Sequence, residues 1–331
     1  MSTILYRLSQ GETLTRQETC ELMLAITRQE HTDLHIAAML TAIQTRGVTV
    51  DELLGLRDGL LQTGIAIDLS PHRVLDIVGT GGDGKYTFNI STCACLIVAG
   101  AGYKVAKHGN YASTSVSGAS TVIEGHGVRF TADADHLRQS LEETNFTYLH
   151  APLFASGMKF VAPARRALQV PTVFNLIGPL VNPSRPTFQL LGTATLQQLR
   201  LYSNVKDRLD EQYGIVTSLD GYDEISLTGP FKIKTPTDER IIQPEELGLP
   251  TVRQEDIYGG DSPEEARQIF DNVLRRRATV AQTAVVLANA AAAIHIIEAE
   301  KTFEQCLAIA KESLDSGAAL DTLQRYVNLN K

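Results

Sequence analysis

The sequence predicts an α/β fold in two parts: a small N-terminal helical domain over residues 1–70, and a larger domain over residues 71–331 built on a mainly parallel central sheet. Three observations predict it. Capped apolar segments with helical periodicity fill residues 14–69, with no strand-like run among them. From Val74 onward, apolar runs alternate with helical segments, the pattern of a parallel sheet with crossover helices. Two consecutive strand-like runs, Val74-Leu75-Asp76-Ile77-Val78 and Lys104-Val105-Ala106, each end in a polar, glycine-containing loop that feeds a helix.

In chain order, Thr15 and Glu18 form a capping-box pattern ahead of Cys20, Met23, Leu24 and Ile26. Asp33 is expected to cap a second helix through Ile36, Met39, Leu40 and Ile43, stopped near Gly47. Thr49 and Glu52 open a third, through Leu53, Leu56 and Leu60 to Gly64. Three short helices make too small a core to stand alone, so they are expected to pack on the main body or on another subunit. His31 and His35 read as surface or capping residues. The change of pattern puts the domain boundary near Ser70-Pro71. A helix is expected over residues 133–143 and a strand over 147–150. Ala151-Pro152 begins an irregular segment, and a helix follows over 158–168. The turns at Gly178-Pro179 and Asn182-Pro183 suit a hinge, with residues 152–180 packing there. Then come a strand at 190–192, a helix at 196–209, a strand at 214–218, an acidic motif, a β-rich patch to about Ile242 and a helix at 262–276. Two alanine- and leucine-rich helices, separated near residues 298–302, close the chain.

Composition narrows the function classes. A net charge of −8 argues against a nucleic-acid or membrane surface, though it leaves room for a local basic pocket. The four cysteines, Cys20, Cys93, Cys95 and Cys306, lack zinc-site spacing. Cys93 and Cys95 fall in an apolar helix as core thiols, which points to a reducing, cytoplasmic compartment. No charged-then-apolar leader opens the sequence. The longest apolar stretch, residues 283–297, contains Asn289 and His295 and reads as a buried helix, so no bilayer-spanning segment is expected.

The chain is organised around residues 74–128. The first strand runs into Gly79-Thr80-Gly81-Gly82-Asp83-Gly84, and Thr87-Phe88-Asn89-Ile90-Ser91-Thr92 opens an apolar helix. The second strand runs into Lys107-His108-Gly109-Asn110, followed by Ser113-Thr114-Ser115 and Ser117-Gly118 before the next helix. Both loops should lie at the C-terminal edge of the sheet. Free backbone N–H groups and the positive helix end there suit anions, phosphate above all. The spacing is neither that of a dinucleotide-binding glycine motif nor that of a P-loop. A single such loop would be a steric necessity of a tight turn. Two in tandem, the second carrying Lys107 and His108, point to a binding site.

GTGGDGKYTFNIST, residues 79–92, followed by KHGN resembles the anthranilate phosphoribosyltransferase family. The resemblance continues in VAPARRALQVPTVFNLIGPLVNP, residues 161–183, and in SLDGYDEISLTG, residues 218–229, and covers nearly the whole chain in order. It implies a nucleoside phosphorylase/phosphoribosyltransferase-like fold and a homodimer formed through the helical domain. It also implies transfer of the phosphoribosyl group of 5-phosphoribosyl 1-pyrophosphate to anthranilate, in tryptophan biosynthesis, aided by Mg2+. Two other readings stay open: a nucleoside phosphorylase-like enzyme of the same architecture, and a non-catalytic nucleic-acid-binding relative. The acidic pair and FNLIGPL favour the first reading over the second. The retained Asp223-Glu224 and the net charge of −8 count against the third.

What the resemblance implies residue by residue is as follows. Donor contacts come from Gly79, Gly82, Asp83, Thr87, Asn89, Ile90, Ser91 and Thr92 in the first loop. In the second they come from Lys107, His108, Gly109, Asn110, Tyr111, Ala112, Ser113, Thr114, Ser115 and Ala119. Magnesium is held by Ser91, Asp223 and Glu224, few protein ligands because the ion keeps its waters. The acceptor is contacted by Gly79, His108, Asn110 and Arg165, whose planar fork of donors suits a carboxylate. No catalytic proton-transfer residue is assigned, because the amine's lone pair is already available. The sequence departs from the family pattern at Tyr111, where arginine is usual, at Ala155-Ser156-Gly157, where His-Pro-Ala is usual, and at Thr121, where an acid is common.

Overall fold

The computed structural model describes residues 3–112, 115–209 and 211–331. In chain order the elements are α1 Thr3–Ser9, α2 Arg16–Thr27, α3 Asp33–Arg46, α4 Val50–Thr63, β1 Leu75–Gly79, α5 Ile90–Gly100, β2 Val105–Gly109, α6 Ala119–Gly125, α7 Ala134–Thr144 and β3 Phe146–His150. They continue as α8 Ala151–Phe154, α9 Met158–Leu168, β4 Phe188–Gly192, α10 Leu196–Lys206, β5 Gln212–Ser218, β6 Phe231–Lys234 and β7 Glu239–Ile242. The last four are α11 Pro263–Leu274, α12 Val280–Ile297, α13 Phe303–Asp315 and α14 Ala318–Leu329. The chain divides into two compact units, Met1–Ile67 with Ala151–Arg185, and Asp68–His150 with Pro186–Lys331.

In the first unit both expected capping boxes form. Thr15 and Thr49 donate their N–H groups to Glu18 and Glu52 at 2.9 Å, and their hydroxyls accept the glutamate N–H groups in return. Thr32, not Asp33, caps α3: its hydroxyl accepts the His35 N–H at 3.3 Å. Asp33 instead becomes the first helical residue, where its charge meets the positive helix end. Glu52 is fully buried, accepts the Leu14 N–H at 3.0 Å and pairs with Arg46 at 2.6 Å, so one carboxylate ties the start of α4 to the entry of α2. The core that three short helices lack is completed by the chain's own return, since α9 packs on α3 and α2 through buried Val161 and Ala164. Two further elements differ from expectation. A further helix, α1, precedes Leu14, and Ala151-Pro152 opens a short helix, α8, rather than an irregular segment.

In the second unit the sheet order is β3-β2-β1-β4-β5-β6-β7. The first five strands are parallel, and β6 and β7 form an antiparallel edge. From β1 the chain moves outward through β2 and β3, then resumes on the other side of β1 with β4. The order therefore reverses between β1 and β4, the position at which open α/β sheets leave a crevice beyond the carboxyl ends of their strands. α5 is buried from Thr92 to Ala99, hydrophobic all round because α12, α13 and α14 enclose it over the sheet. Each fully buried side chain such as Leu96 or Ile97 contributes roughly 1.5–3 kcal/mol.

β2 runs past the expected strand through Lys107 and His108 to Gly109. The C-terminal pair of helices is a trio, because Gly317, at φ +85°, breaks α13 from α14. α12, with 18 residues and a mean hydropathy of 1.8, is long and apolar enough to cross a membrane by length and composition, contrary to expectation. It is a core helix nonetheless, packed against α5, α13, β4 and β5.

Candidate active site

β1 and β4 place Gly79 opposite Gly192 at their C-terminal ends. β5 ends at Ser218, and the following loop returns over those ends, its neck closed by the Leu219 N–H on the Pro230 carbonyl at 3.0 Å. Asp223 rests directly on the paired glycines. A Cβ on Gly79 would stand 2.9 Å from Asp223 Cγ, and one on Gly192 would stand 2.5 Å from the Asp223 carbonyl carbon. Glycine is required at both positions for this close approach.

The acid pair then meets the first glycine loop. The Gly81 N–H donates to Asp223 Oδ2 at 2.6 Å, although the two residues are 142 positions apart. The Thr87 hydroxyl donates to Glu224 Oε1 at 2.7 Å. Asp83 joins the group, with Oδ2 accepting the Asp223 N–H at 3.4 Å and Oδ1 accepting the Lys85 N–H at 3.1 Å. Burial, with Asp83 beside it, pushes the Asp223 carboxyl up to about 7. Burial and the neighbouring Asp223 push Glu224 well above the usual carboxylate range. Charge crowded in this way fits a hard divalent cation. Among the described residues no group of three or more His, Cys, Asp or Glu forms a metal cage. The adjacent pair Asp223-Glu224 is the kind of donor set magnesium uses, which takes one or two carboxylates and fills its remaining positions with water and substrate phosphate.

A cleft of about 130 Å³ opens here. Its lining unites Gly81, Gly82, Asp83, Thr87, Asn89, Ile90, Ser91, Ser115, Ser117, Asp223 and Glu224. Asn89 occupies the N-cap position of α5, but its side chain does not cap the helix. It turns across to the second loop instead, donating to the Ser117 carbonyl at 3.1 Å and accepting the Ser117 hydroxyl at 3.2 Å. The first turn of α5 thus keeps its N–H groups without a side-chain cap at the cleft, an arrangement that receives anions.

The other residues singled out in the sequence lie elsewhere. Gly79 is the floor under Asp223, and Thr92 is buried within α5. Lys107 is only 2% exposed, and its ammonium donates to the Ile77 carbonyl at 2.6 Å, so its charge is held at the sheet end rather than in the open loop. His108 is buried, with its N–H on Asp76 Oδ1 at 3.2 Å. Asn110 joins the second loop to α6: its carbonyl accepts the Ser120 N–H at 3.1 Å, and its side chain accepts the Tyr111 N–H at 2.8 Å. Gly109 gives room to Tyr148, and Gly118, just before Ala119, packs on Ala112. Tyr111 donates its hydroxyl to Glu124 at 3.1 Å and sets its ring edge-on to His150. Ser113 and Thr114 lie outside the described residues. Arg165, in the last turn of α9 in the first unit, is half-buried. It meets Asn175 at 3.4 Å and the Phe174 ring at 5.8 Å, with no acidic partner among the described residues, and burial lowers its pKa.

Sequence reasoning gave no site role to Gly81, Ser117 or Gly192, although Gly81 and Ser117 lie in the two loops it singled out. Gly192 carried a signal, since Leu190-Leu191-Gly192 repeats the strand-then-glycine pattern of Ile77-Val78-Gly79. Ser117 carried none beyond a hydroxyl in a polar loop.

Comparison with known proteins agrees with this architecture. Residues 71–320 match a family model described as the glycosyl transferase family a/b domain, and residues 2–64 match the helical bundle domain of the same family. The anthranilate phosphoribosyltransferase of Phocaeicola vulgatus is 58% identical over 330 residues, covering 100% of both chains. That of Bacteroides thetaiotaomicron is 51% identical over 330 residues, covering 100% of this chain and 99% of the relative. Among solved structures, the anthranilate phosphoribosyltransferase of Thermus thermophilus superposes with a TM-score of 0.93 at 32% identity over 98% of each chain. The Saccharomyces cerevisiae enzyme, in complex with PRPP and Mg, superposes with a TM-score of 0.90 at 26% identity, covering 99% of this chain and 96% of that one. On full-length identity to these relatives, and on a family model that matches residues 71–320, the chain belongs to the anthranilate phosphoribosyltransferase family.

Proposed function

We propose that this chain transfers the phosphoribosyl group of 5-phosphoribosyl 1-pyrophosphate to anthranilate, giving N-(5-phosphoribosyl)anthranilate and pyrophosphate. The observation that carries the reading is the acid pair Asp223-Glu224, folded back onto the first glycine loop beside the uncapped end of α5. Backbone N–H groups of the glycine loop and of α5 receive the donor's phosphate oxygens. Asn110 to Ser115, with Ala119, complete the donor contacts, and Lys107 supports them from β2, where the Ile77 carbonyl holds its ammonium. Asp223, Glu224 and Ser91 hold magnesium, which when bound offsets the charge of the departing pyrophosphate. Asp83 orients the pair through the Asp223 N–H.

For the acceptor, the assigned residues are Gly79, His108 and Asn110. Arg165 is assigned to the substrate carboxylate, because its planar fork of donors matches the two carboxylate oxygens. No general base is assigned, so positioning and charge stabilisation supply the rate. A homodimer formed through the helical unit and a cytoplasmic location belong to the same proposal, the latter supported by four free cysteines. Incubation with anthranilate, donor and Mg2+, following the loss of anthranilate fluorescence, tests the reading. Donor- and magnesium-dependent loss is expected. Fluorescence that persists under those conditions refutes the assignment.

A further inference from the structure

Ile225 follows the acid pair directly, and both of its backbone polar groups are buried against one side chain. Asn289, at the middle of α12 and 2% exposed, donates Nδ2 to the Ile225 carbonyl at 2.8 Å and accepts the Ile225 N–H on Oδ1 at 3.1 Å. Nδ2 also donates to the Val285 carbonyl one helical turn back, at 2.8 Å, which fixes the rotation of the amide. A single asparagine thus pairs with Ile225 as a neighbouring strand would. From the other side, Ser218 at the end of β5 donates its hydroxyl to the Glu224 carbonyl at 2.6 Å and accepts the Ser226 N–H at 3.1 Å. The backbone immediately after the acid pair is therefore held by two side chains from two different elements. α12 is otherwise apolar from Ala284 to Ile294, and an asparagine in a helix interior is unfavourable by propensity and burial alone. Its partners account for its presence.

We propose that Asn289, together with Ser218, is a positioning residue for the metal pair. The two side chains fix where Glu224 and Asp223 stand above the Gly79–Gly192 floor, and so set the affinity for magnesium, without touching metal or substrate. The inference rests on Asp223 and Glu224 being the metal pair. The test is Mn2+ binding read from the electron paramagnetic resonance signal of the free ion, with 5-phosphoribosyl 1-pyrophosphate present and anthranilate withheld. Far-UV circular dichroism on each variant reports the fold. Asn289→Ala and Ser218→Ala are each expected to weaken Mn2+ binding tenfold or more. The half-saturating Mg2+ of turnover should rise in parallel, with a donor KM at saturating metal within about twofold of the parent.

If a folded Asn289→Ala protein binds Mn2+ as the parent does, the inference for Asn289 is overturned. If Asn289→Ala fails to fold, Ser218→Ala decides by the same criterion. The double variant Asp223→Asn, Glu224→Gln separates the two levels: parent-like Mn2+ binding there overturns the assignment of the metal pair itself. Loss of binding in the double variant, with parent-like binding in Asn289→Ala and Ser218→Ala, overturns only the positioning role.

Discussion

Gly192→Ala is the sharpest perturbation of the proposed active site, because it adds one methyl group and no chemistry. The new Cβ would stand 2.5 Å from the Asp223 carbonyl carbon, with the carbonyl oxygen closer still. Ordinary contact begins near 3.4 Å, so the Asp223 backbone must retreat by at least about 1 Å (3.4 − 2.5 Å), the nearer carbonyl oxygen demanding more. Backbone cannot rotate out of the way as a side chain can, and Gly192 is held in register between β1 and β5. A displacement of about 1 Å in a positioned group costs roughly a hundredfold in rate. The expected result is therefore a fall in kcat of about two orders of magnitude, with a higher Mg2+ requirement and a normal circular dichroism spectrum. Gly79→Ala presses on the Asp223 carboxylate itself, at 2.9 Å to Cγ, so it too should lower kcat and raise the Mg2+ requirement. Steady-state fluorescence kinetics at varied Mg2+ decide the matter. Parent-like kcat and Mg2+ dependence in Gly192→Ala would refute the argument that the paired glycines set the height of the acid pair.

Glu52→Ala should destabilise the first unit by about 3 kcal/mol in urea unfolding, because it leaves Arg46 without its partner and strips acceptors from the Leu14 and Thr49 N–H groups; a loss under about 1 kcal/mol would contradict the role given to this carboxylate. Arg165→Ala should raise the anthranilate KM about ten- to a hundredfold, the value of a charge-assisted pair of roughly 1.5–3 kcal/mol, while the donor KM stays near normal; an unchanged acceptor KM removes Arg165 from the site. The acid pair also predicts a pH dependence. Both carboxyls are raised in the folded chain, so the fold favours their protonated forms. That stability is complete below about pH 4 and is lost as pH rises through the folded value of about 7 for Asp223. Metal-free protein should therefore melt at a lower temperature at pH 8 than at pH 5, and Mg2+ with donor should restore stability mainly at pH 8. Asp223→Asn with Glu224→Gln should flatten this part of the slope, and a double variant with the parent's slope would assign the effect to other groups.

Local chemistry made much of this protein legible in the sequence. The capping boxes at Thr15 and Thr49, the two strand–glycine loop–helix units and the buried character of α5 and α12 all follow from residues within a few positions of one another. Boundaries were less legible. Thr32 and Asp33 both have capping side chains, and which one caps depends on where the backbone leaves the helix. Lys107 and His108 have the polarity of loop residues, yet the carbonyl of Ile77 and the carboxylate of Asp76 take them into β2.

The active-site geometry needed the tertiary fold, because its contacts span distances that no periodicity encodes. Only the reversal of strand order at β1 brings Gly79 beside Gly192, and only the loop after β5 lays Asp223 across both. Asn89 reads as a helix cap from its position, but pairing across the cleft with Ser117 satisfies both its donor and its acceptor. Asn289 reads as a blemish in an apolar helix until Ile225, 64 residues away, is placed against it. The sequence by itself determined which segments are helices, strands and anion-receiving loops, since backbone hydrogen bonding and apolar periodicity are settled locally. The tertiary structure decided which carboxylate meets which loop and how closely, since burial and van der Waals contact exist only between segments that the sheet has brought together.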